Sequence, residues 1–135
     1  MNAPKINAWR QAISTLIITH LDCLAHDPGP DHPDTSARLT AILEVLRAPA
    51  FAALTWAFAP LVEETDLERV HSREYIGAVG AAIPRKGLWN LDPDTIVSPR
   101  SDEAARRAAG AGCAAVDALY TGEADNVFGS YRAAC

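Results

Sequence analysis

Apolar residues run without polar alternation through residues 13–19, and this stretch is the most strongly patterned part of the chain. Such a run is typical of a strand that is buried on both faces of a parallel sheet. Two further runs, at residues 56–62 and 126–131, are rich in aromatic and branched residues and predict a second and a third strand. Pro60 weakens the second strand or places it near a sheet edge.

Helical patterns separate these strands. Asp34, Thr35 or Ser36 can cap a helix that ends before Pro49, and its apolar stripe is Leu39, Ile42, Leu43 and Leu46. Residues 65–68 fit a capping box for a short helical turn. Ser72 is the predicted N-cap of the next helix, whose inward residues are expected to be Tyr75, Ile76, Val79 and Ile83.

Residues 85–94 read as a loop, and a long helix then begins at Ser98 or Ser101 and stops at Gly122. Cys113 in this helix is expected to be a small core residue. Small side chains would let the helix lie close to the sheet, with an inner face of Ala104, Ala105, Ala108, Gly112, Ala115, Val116 and Leu119. The order strand, helix, strand, helices, strand predicts an α/β fold.

Composition narrows the class of protein. The 135 residues, of which 49% are hydrophobic, are enough for one domain. A net charge of -5 without a Lys/Arg cluster argues against nucleic acid as a partner but is compatible with a basic peptide. No run approaches the ~20 apolar residues of a membrane span, and the start lacks the pattern of a signal peptide. Three widely spaced cysteines without a CxxC pair fit a reducing cytoplasm.

Three of the four histidines lie in the loop that follows the first strand, where α/β proteins bind ligands. The loop offers nitrogen and oxygen atoms that divalent metals use, but no pair has a spacing that a known geometry demands. Capping of turns between prolines is the favoured interpretation. The candidates are His20, Asp22, His26, Asp27, Asp31 and His32. His71, near Tyr75 on a predicted helix, is expected to be a packed or partly exposed histidine.

No GxSxG, HExxH, P-loop or GxGxxG motif is present. Several segments do resemble the histone deacetylase superfamily, in its bacterial branch of class II histone-deacetylase-like amidohydrolases and acetoin-utilisation proteins. The first is His-x-Asp-Cys-x-x-His-Asp-x-Gly-Pro-x-His-Pro from His20, followed by Ala-Arg-Leu at residues 37–39. Further matches are Leu-x-x-Val-His-x-x-x-Tyr at residues 67–75 and Leu-Asp-Pro-Asp-Thr at residues 91–95. The likeness continues through the long helix to residue 132.

This resemblance implies an arginase-like three-layer α/β fold with a mostly parallel sheet, of which residues 1–135 would form a single, incomplete domain. It also implies a zinc ion that polarises an amide carbonyl and activates water, releasing acetate from acetylated lysine or a related acetylated amine. The family's tandem histidines, its zinc ligands and a later tyrosine follow an Arg-Pro-Pro-Gly segment, whereas here Arg132 is followed by Ala-Ala-Cys. The resemblance therefore predicts that this chain has no catalytic residue, no metal ligand and no bound zinc.

Two substrate-binding residues can be carried over from the family. Arg38 matches the arginine at the foot of the internal channel through which acetate leaves; the alternative is a first-turn helix arginine paired with a nearby carboxylate. Asp94, or Asp92, falls in the loop that carries an aspartate gripping the substrate backbone, and a turn or N-capping aspartate is the alternative. The chain departs from the family's Gly-His-Pro-Glu-Arg-Pro, since Asp31 replaces the glycine and Asp34, Thr35 and Ser36 replace the last three residues.

The sequence thus predicts the N-terminal portion of a zinc-dependent deacetylase that is inactive by itself. A sheet of about three strands leaves an unpaired apolar edge, so a non-catalytic binding or dimerisation module is the alternative, with a homo-oligomer formed through that edge. A small metal-dependent hydrolase built on His20, Asp22, His26 and His32 is the third hypothesis.

Overall fold

The computed structural model describes residues 13–30 and 32–131. Within these ranges the strands are β1 (Thr15–Thr19), β2 (Thr55–Phe58), β3 (Trp89–Asp92), β4 (Thr95–Val97) and β5 (Asn126–Ser130). The α-helices are α1 (Ser36–Leu46), α2 (Glu64–Leu67), α3 (Arg73–Ala82) and α4 (Ser101–Tyr120), with 3₁₀ turns at Leu21–Leu24 and Pro49–Phe51. None of the helices in this part of the chain has the length and apolar character needed to cross a membrane.

The three predicted strands form one parallel sheet in the order β2-β1-β5. The apolar run is the central strand, and Ile17 and Ile18 are each 1% exposed. Thr19 at the end of β1 pairs with Phe58 of β2 on one side and with Ser130 of β5 on the other. The carboxyl ends of all three strands therefore lie at one edge of the sheet, which is where the histidine-rich loop begins.

Helices cover both faces of this sheet, as the predicted three-layer α/β fold requires. Leu16 and Ile18 form a core with Ala111 and Ala118 of α4. On the opposite face Ile17 lines a groove together with residues of α1. In α1, Leu39 and Leu43 are buried, whereas Ile42, expected on the same stripe, remains 39% exposed.

The inner face of α4 differs from the predicted one. Ala104 and Ala108 are buried as expected, but Val116 and Leu119 are 65% and 46% exposed. The stripe that meets the sheet runs through Ala104, Ala108, Ala111 and Ala118, and Val116 lies about 120° around the helix from Ala104. Cys113 is on the far side of the helix and exposed, so its predicted core position is wrong.

Residues 85–94 are not simply a loop, because β3 and β4 form an antiparallel hairpin there. Asp92 stabilises its turn: one carboxylate oxygen accepts from the Asp94 backbone N–H at 2.9 Å and the other from the Thr95 hydroxyl at 2.9 Å. The Asp-Pro-Asp-Thr sequence was therefore an available turn signal that the prediction missed.

The predicted helix starts were right for α1, α3 and α4 and wrong for α2. Ser72 caps α3, since its Oγ accepts the Tyr75 backbone N–H at 3.2 Å. The capping box at residues 65–68 does not form, because α2 begins at Glu64 with Glu63 at the N-cap position. In α3 only Ile76 is buried, and Tyr75, predicted to point inward, is 56% exposed.

Candidate functional site

The loop after β1 begins with a 3₁₀ turn rather than an irregular path. His20 is the N-cap of this turn, and its Nδ1 accepts the Asp22 backbone N–H at 3.1 Å. The ring of His20 also lies edge-on to that of Phe58, with 5.8 Å between centroids. These contacts fix His20 at the carboxyl edge of the sheet, between β1 and β2.

Asp22 connects the loop to α4 and to the end of β2. Its Oδ2 accepts from Arg107 Nε at 3.0 Å and lies 2.9 Å from His20 Nδ1, and its Oδ1 accepts from Arg100 Nη2 at 3.1 Å. Arg107 also donates to the Ala59 carbonyl oxygen at 2.9 Å. Both carboxylate oxygens thus face cationic side chains, and Asp22 acts as a structural anchor.

These contacts shift the pKa of Asp22. Desolvation raises it, but the hydrogen bond from Arg107 and the neighbouring His20 together outweigh this effect and hold the pKa of the carboxyl below its ordinary value. The sequence singled out Asp22 as a possible metal ligand. It gave no indication of Arg100 and Arg107, which lie 78 and 85 residues further along the chain.

His26 fastens the next part of the loop to the start of α4. The side chain is 2% exposed, and its Nδ1 lies 2.6 Å from Ser101 Oγ. The Ser98 backbone N–H also donates to Ser101 Oγ at 2.7 Å, and the Asp27 backbone N–H donates to Ser98 Oγ at 3.0 Å. Ser98 and Ser101 were predicted only as possible first residues of the long helix. In the structure their hydroxyl groups also bind the loop, through Asp27 and His26.

The remaining loop candidates cap turns, as the favoured interpretation predicted. Asp27 Oδ1 accepts the Gly29 backbone N–H at 2.9 Å, where Gly29 has a φ of 99° that favours glycine. His32 Nδ1 accepts the Asp34 backbone N–H at 3.1 Å. Asp31 lies outside the described residues.

The loop does not fit a zinc site. Over residues 13–30 and 32–131 no group of three or more His, Cys, Asp or Glu side chains could hold a metal ion. His20, His26 and His32 are each directed to a different partner rather than to a common centre. The hypothesis of a small metal-dependent hydrolase built on these residues is therefore not supported by their placement.

Arg38 and Asp94 occupy surface positions. Arg38 lies on the first turn of α1, is 66% exposed and donates to Asp34 Oδ1 at 3.1 Å, which is the geometry of the carboxylate-paired alternative. Asp94 lies in the β3–β4 turn, where its backbone N–H lowers the pKa of Asp92 together with the hydroxyl of Thr95. Substrate binding by either residue stays a prediction.

His71 belongs to a separate apolar cavity of about 390 Å³ between α3 and α4. Its ring lies 5.1 Å from that of Tyr75, and the side chain is exposed, in line with a partly exposed packing histidine. Tyr131 and the stem of Arg106 complete the wall. Arg106 itself is held by Glu64 at 2.9 Å and by Asp102 at 3.0 Å.

Comparison with known proteins gives concordant matches. Residues 32–134 match a family profile described as the histone deacetylase domain. The chain is 40% identical over 105 residues to an uncharacterised protein of Synechocystis, covering 75% of this chain and 34% of that protein. It is 36% identical over 102 residues to a histone deacetylase-like amidohydrolase of Pseudomonas aeruginosa, covering 76% and 26%.

A solved structure extends the match to three dimensions. The crystal structure of the HDA15 HD domain superposes with a TM-score of 0.79 at 26% identity, covering 88% of this chain and 35% of that one. In sequence, the chain spans only part of its relatives: 34% of the length of the Synechocystis protein and 26% of the Pseudomonas protein.

Proposed function

Since this chain belongs to the histone deacetylase family, we propose that it forms the N-terminal scaffold of a zinc-dependent deacetylase and does not hydrolyse acetyl amides as a separate polypeptide. The proposed substrates of the whole protein are acetylated lysine or a related acetylated amine, and the proposed location is the cytoplasm. The supporting observations are that residues 32–134 match the histone deacetylase domain and that 88% of the chain superposes on 35% of the HDA15 HD domain chain.

The described side chains support a scaffold role. Asp22, His26 and the two serines Ser98 and Ser101 fix the loop at the carboxyl edge of the sheet, which in α/β folds is the edge that ligands approach. Zinc in the family supplies a Lewis acid and an activated water. Because the residues described here do not fit a zinc site, we assign no catalytic step to them.

Amide hydrolysis by the purified chain tests the proposal directly. The chain is incubated with zinc and an acetyl-lysine substrate, with the Pseudomonas amidohydrolase as the positive control. We expect no turnover above the blank. Hydrolysis that depends on zinc and disappears with a chelator would show that the chain is an enzyme in its own right.

A chimera tests the scaffold role and the prediction for Arg38. The aligned segment of the Pseudomonas protein is replaced by the corresponding residues of this chain, and deacetylation is measured. We expect the chimera to be active and Arg38→Ala within it to lower kcat. Arg69→Ala is the matched control, because Arg69 is likewise exposed and pairs at 3.4 Å with Asp66, three residues before it. Equal activity of the two variants would assign Arg38 to its surface pair with Asp34.

A non-catalytic dimerisation module is the second candidate, and the sheet edges favour it. Over residues 13–30 and 32–131, β2 and β5 each pair on one side only, and Phe58 and Phe128 are 77% and 47% exposed. Such edges pair readily with another chain. A monodisperse dimer on size exclusion would support this candidate, and a monomer at all concentrations would contradict it.

A further inference from the structure

An apolar groove of about 460 Å³ lies between α1 and the sheet, on the face opposite α4. Nine described residues line it, none of them is charged, and Thr15 contributes their one polar side-chain group. Ile42 and Phe51 of the lining are exposed, and Val45 and Phe128 are 60% and 47% exposed. A contiguous exposed apolar surface of this kind is typical of a site that another segment or molecule covers.

The groove lies at the amino edge of the sheet, next to the point where the chain enters β1. Thr15, which lines the groove, is the first residue of that strand. Ser14 before it is anchored, because its backbone N–H and its hydroxyl donate to Asp125 Oδ2 at 2.8 and 2.9 Å. Residues 1–12 lie outside the described residues, and they join the described chain at Ile13. The end of this segment is therefore fixed beside the groove.

The segment is long enough to reach the groove and contains a side chain that suits it. Trp9 is four residues before Ile13. An extended chain spans at most roughly 3.3–3.6 Å per residue, so Trp9 can lie up to about 14 Å from Ile13. The indole ring is apolar except for one N–H donor. It therefore matches an apolar groove whose lining has one hydroxyl, on Thr15.

Charge favours this segment over a second copy of the chain as the occupant. Residues 1–12 contain Lys5 and Arg10 and no acidic residue, whereas the whole chain has a net charge of -5. Glu44, directly before Val45 on α1, is exposed and has no ion-pair partner within the described residues. A basic segment is attracted to such an acidic surface, while a second copy brings like net charge.

We propose that the groove is the docking site of residues 1–12 of the same molecule, with the Trp9 ring between α1 and β5 and Arg10 near Glu44. The docked segment covers the apolar side chains of Val45 and Phe128 and so shields this surface from other chains. The inference does not depend on the proposed function, because it concerns the amino edge of the sheet and not the carboxyl edge that ligands approach.

Tryptophan fluorescence of the full-length chain tests the docking. The double variant Trp56→Phe/Trp89→Phe leaves Trp9 as the sole tryptophan. We expect acrylamide to quench Trp9 less in the folded protein than in urea, and we expect dilution to leave this protection unchanged because the contact is intramolecular. Quenching equal to that in urea would overturn the proposal. Protection that falls on dilution would also overturn it, since a second copy would then be the occupant.

Two glutamate substitutions in the same background test the position of the contact. Val45→Glu places a charge in the groove and should raise the quenching of Trp9 to the value in urea. Val116→Glu is the matched control, because Val116 is 65% exposed on α4 and does not line the groove. It makes the same change of charge and should leave the quenching unchanged. No effect of Val45→Glu, or equal effects of the two variants, would contradict the assigned groove.

A measurement on the unmodified chain keeps the test independent of variant folding. Nuclear Overhauser contacts should join the indole protons of Trp9 to the methyl groups of Ile42 or Val45, which line the groove. Their presence would support docking even if Val45→Glu failed to fold. Their absence would overturn the proposal.

Discussion

At the scale of single residues, Asp22 does the most to connect distant parts of the chain. One carboxylate joins the loop after β1 to two arginines of the α4 region, and through Arg107 to the end of β2. Its pKa is held low by these contacts, so folding favours its ionised form. The stability of the fold should therefore depend on the ionisation of this one residue.

Asp22→Asn should remove part of the acid sensitivity of the protein. Because the pKa of Asp22 is lower in the folded than in the unfolded chain, its stabilising contribution is present at neutral pH. It is lost as the pH falls below about 4 and through the folded-state pKa. Urea unfolding at a series of pH values should give a lower free energy of unfolding for the variant near pH 7 and a smaller fall on acidification.

Asp66→Asn is the control for this measurement, since the ion pair of Asp66 in the described part of the chain is with the exposed Arg69, three residues later. Coincident curves for the unmodified protein and Asp22→Asn would show that the Asp22 contacts contribute nothing to folding.

Gly110 is required by a close approach between α4 and the chain after β2. A Cβ added at Gly110 would clash with the Pro60 carbonyl oxygen, and the Val62 backbone N–H donates to the Arg106 carbonyl oxygen at 3.1 Å in the same contact. We expect Gly110→Ala to lower the free energy of unfolding by about 1–3 kcal/mol, as overpacking does.

Gly112→Ala is the matched comparison in the same helix, because its Cβ would meet no atom within 4 Å. Alanine should instead stabilise the helix there by up to about 1 kcal/mol. Denaturant unfolding compares the two, and a similar effect of both substitutions would rule out the close approach.

At the scale of elements, local sequence patterns predicted the strands and helices correctly where local backbone conformation determines the element. The three predicted strands and the helices occur in the predicted order, with the β3–β4 hairpin as the missed element, and Ser72 was found from its own residue type. The capping box at residues 65–68 has an equally good local pattern, yet the helix starts at Glu64. Tertiary packing, rather than cap chemistry, decides where such a short helix begins.

One serine and one threonine substitution test the difference between the two predicted caps. Ser72→Ala should cost about 1 kcal/mol, because it removes the acceptor for the Tyr75 backbone N–H. Thr65→Ala should be neutral within about 0.5 kcal/mol, as is usual for an exposed residue without a cap bond. The free energy of unfolding measures both, and an equal cost would indicate that Thr65 does cap α2.

The orientation of α4 shows the limit of local patterns. A helix rich in alanine has no large apolar stripe to indicate its buried face, so the sequence could not distinguish the Ala111 side from the Val116 side. The contacts of Asp22 with Arg107 and of His26 with Ser101 were beyond reach for a related reason. They join residues that are 85 and 75 positions apart, and the spacing of residues within a short segment cannot predict such a pair.

At the scale of the whole molecule, the described part of the chain forms a three-stranded sheet whose outer strands each have one unpaired edge. The strand order β2-β1-β5 places the most apolar strand in the middle, as its buried pattern predicted. The outer strands carry exposed aromatic side chains, and every residue of β2 is exposed. This chain covers 35% of the superposed HDA15 HD domain chain.

Self-association of the isolated chain should proceed through one of these outer strands. A lysine on an outer strand opposes pairing because the new interface would have to desolvate its charge. Phe58→Lys on β2 or Phe128→Lys on β5 should therefore weaken association by about tenfold, or about 1.4 kcal/mol, in sedimentation-velocity experiments. The variant with the larger effect identifies the strand used.

Tyr120→Lys is the control for charge alone, because Tyr120 is 92% exposed at the end of α4, away from the sheet. The chain has a net charge of -5, so each of the three lysines lowers the net repulsion between copies by the same amount. A selective loss of association in the strand variants must then come from the sheet. If all three variants associate as the unmodified chain does, the contact lies elsewhere on the surface and the dimerisation module loses its structural basis.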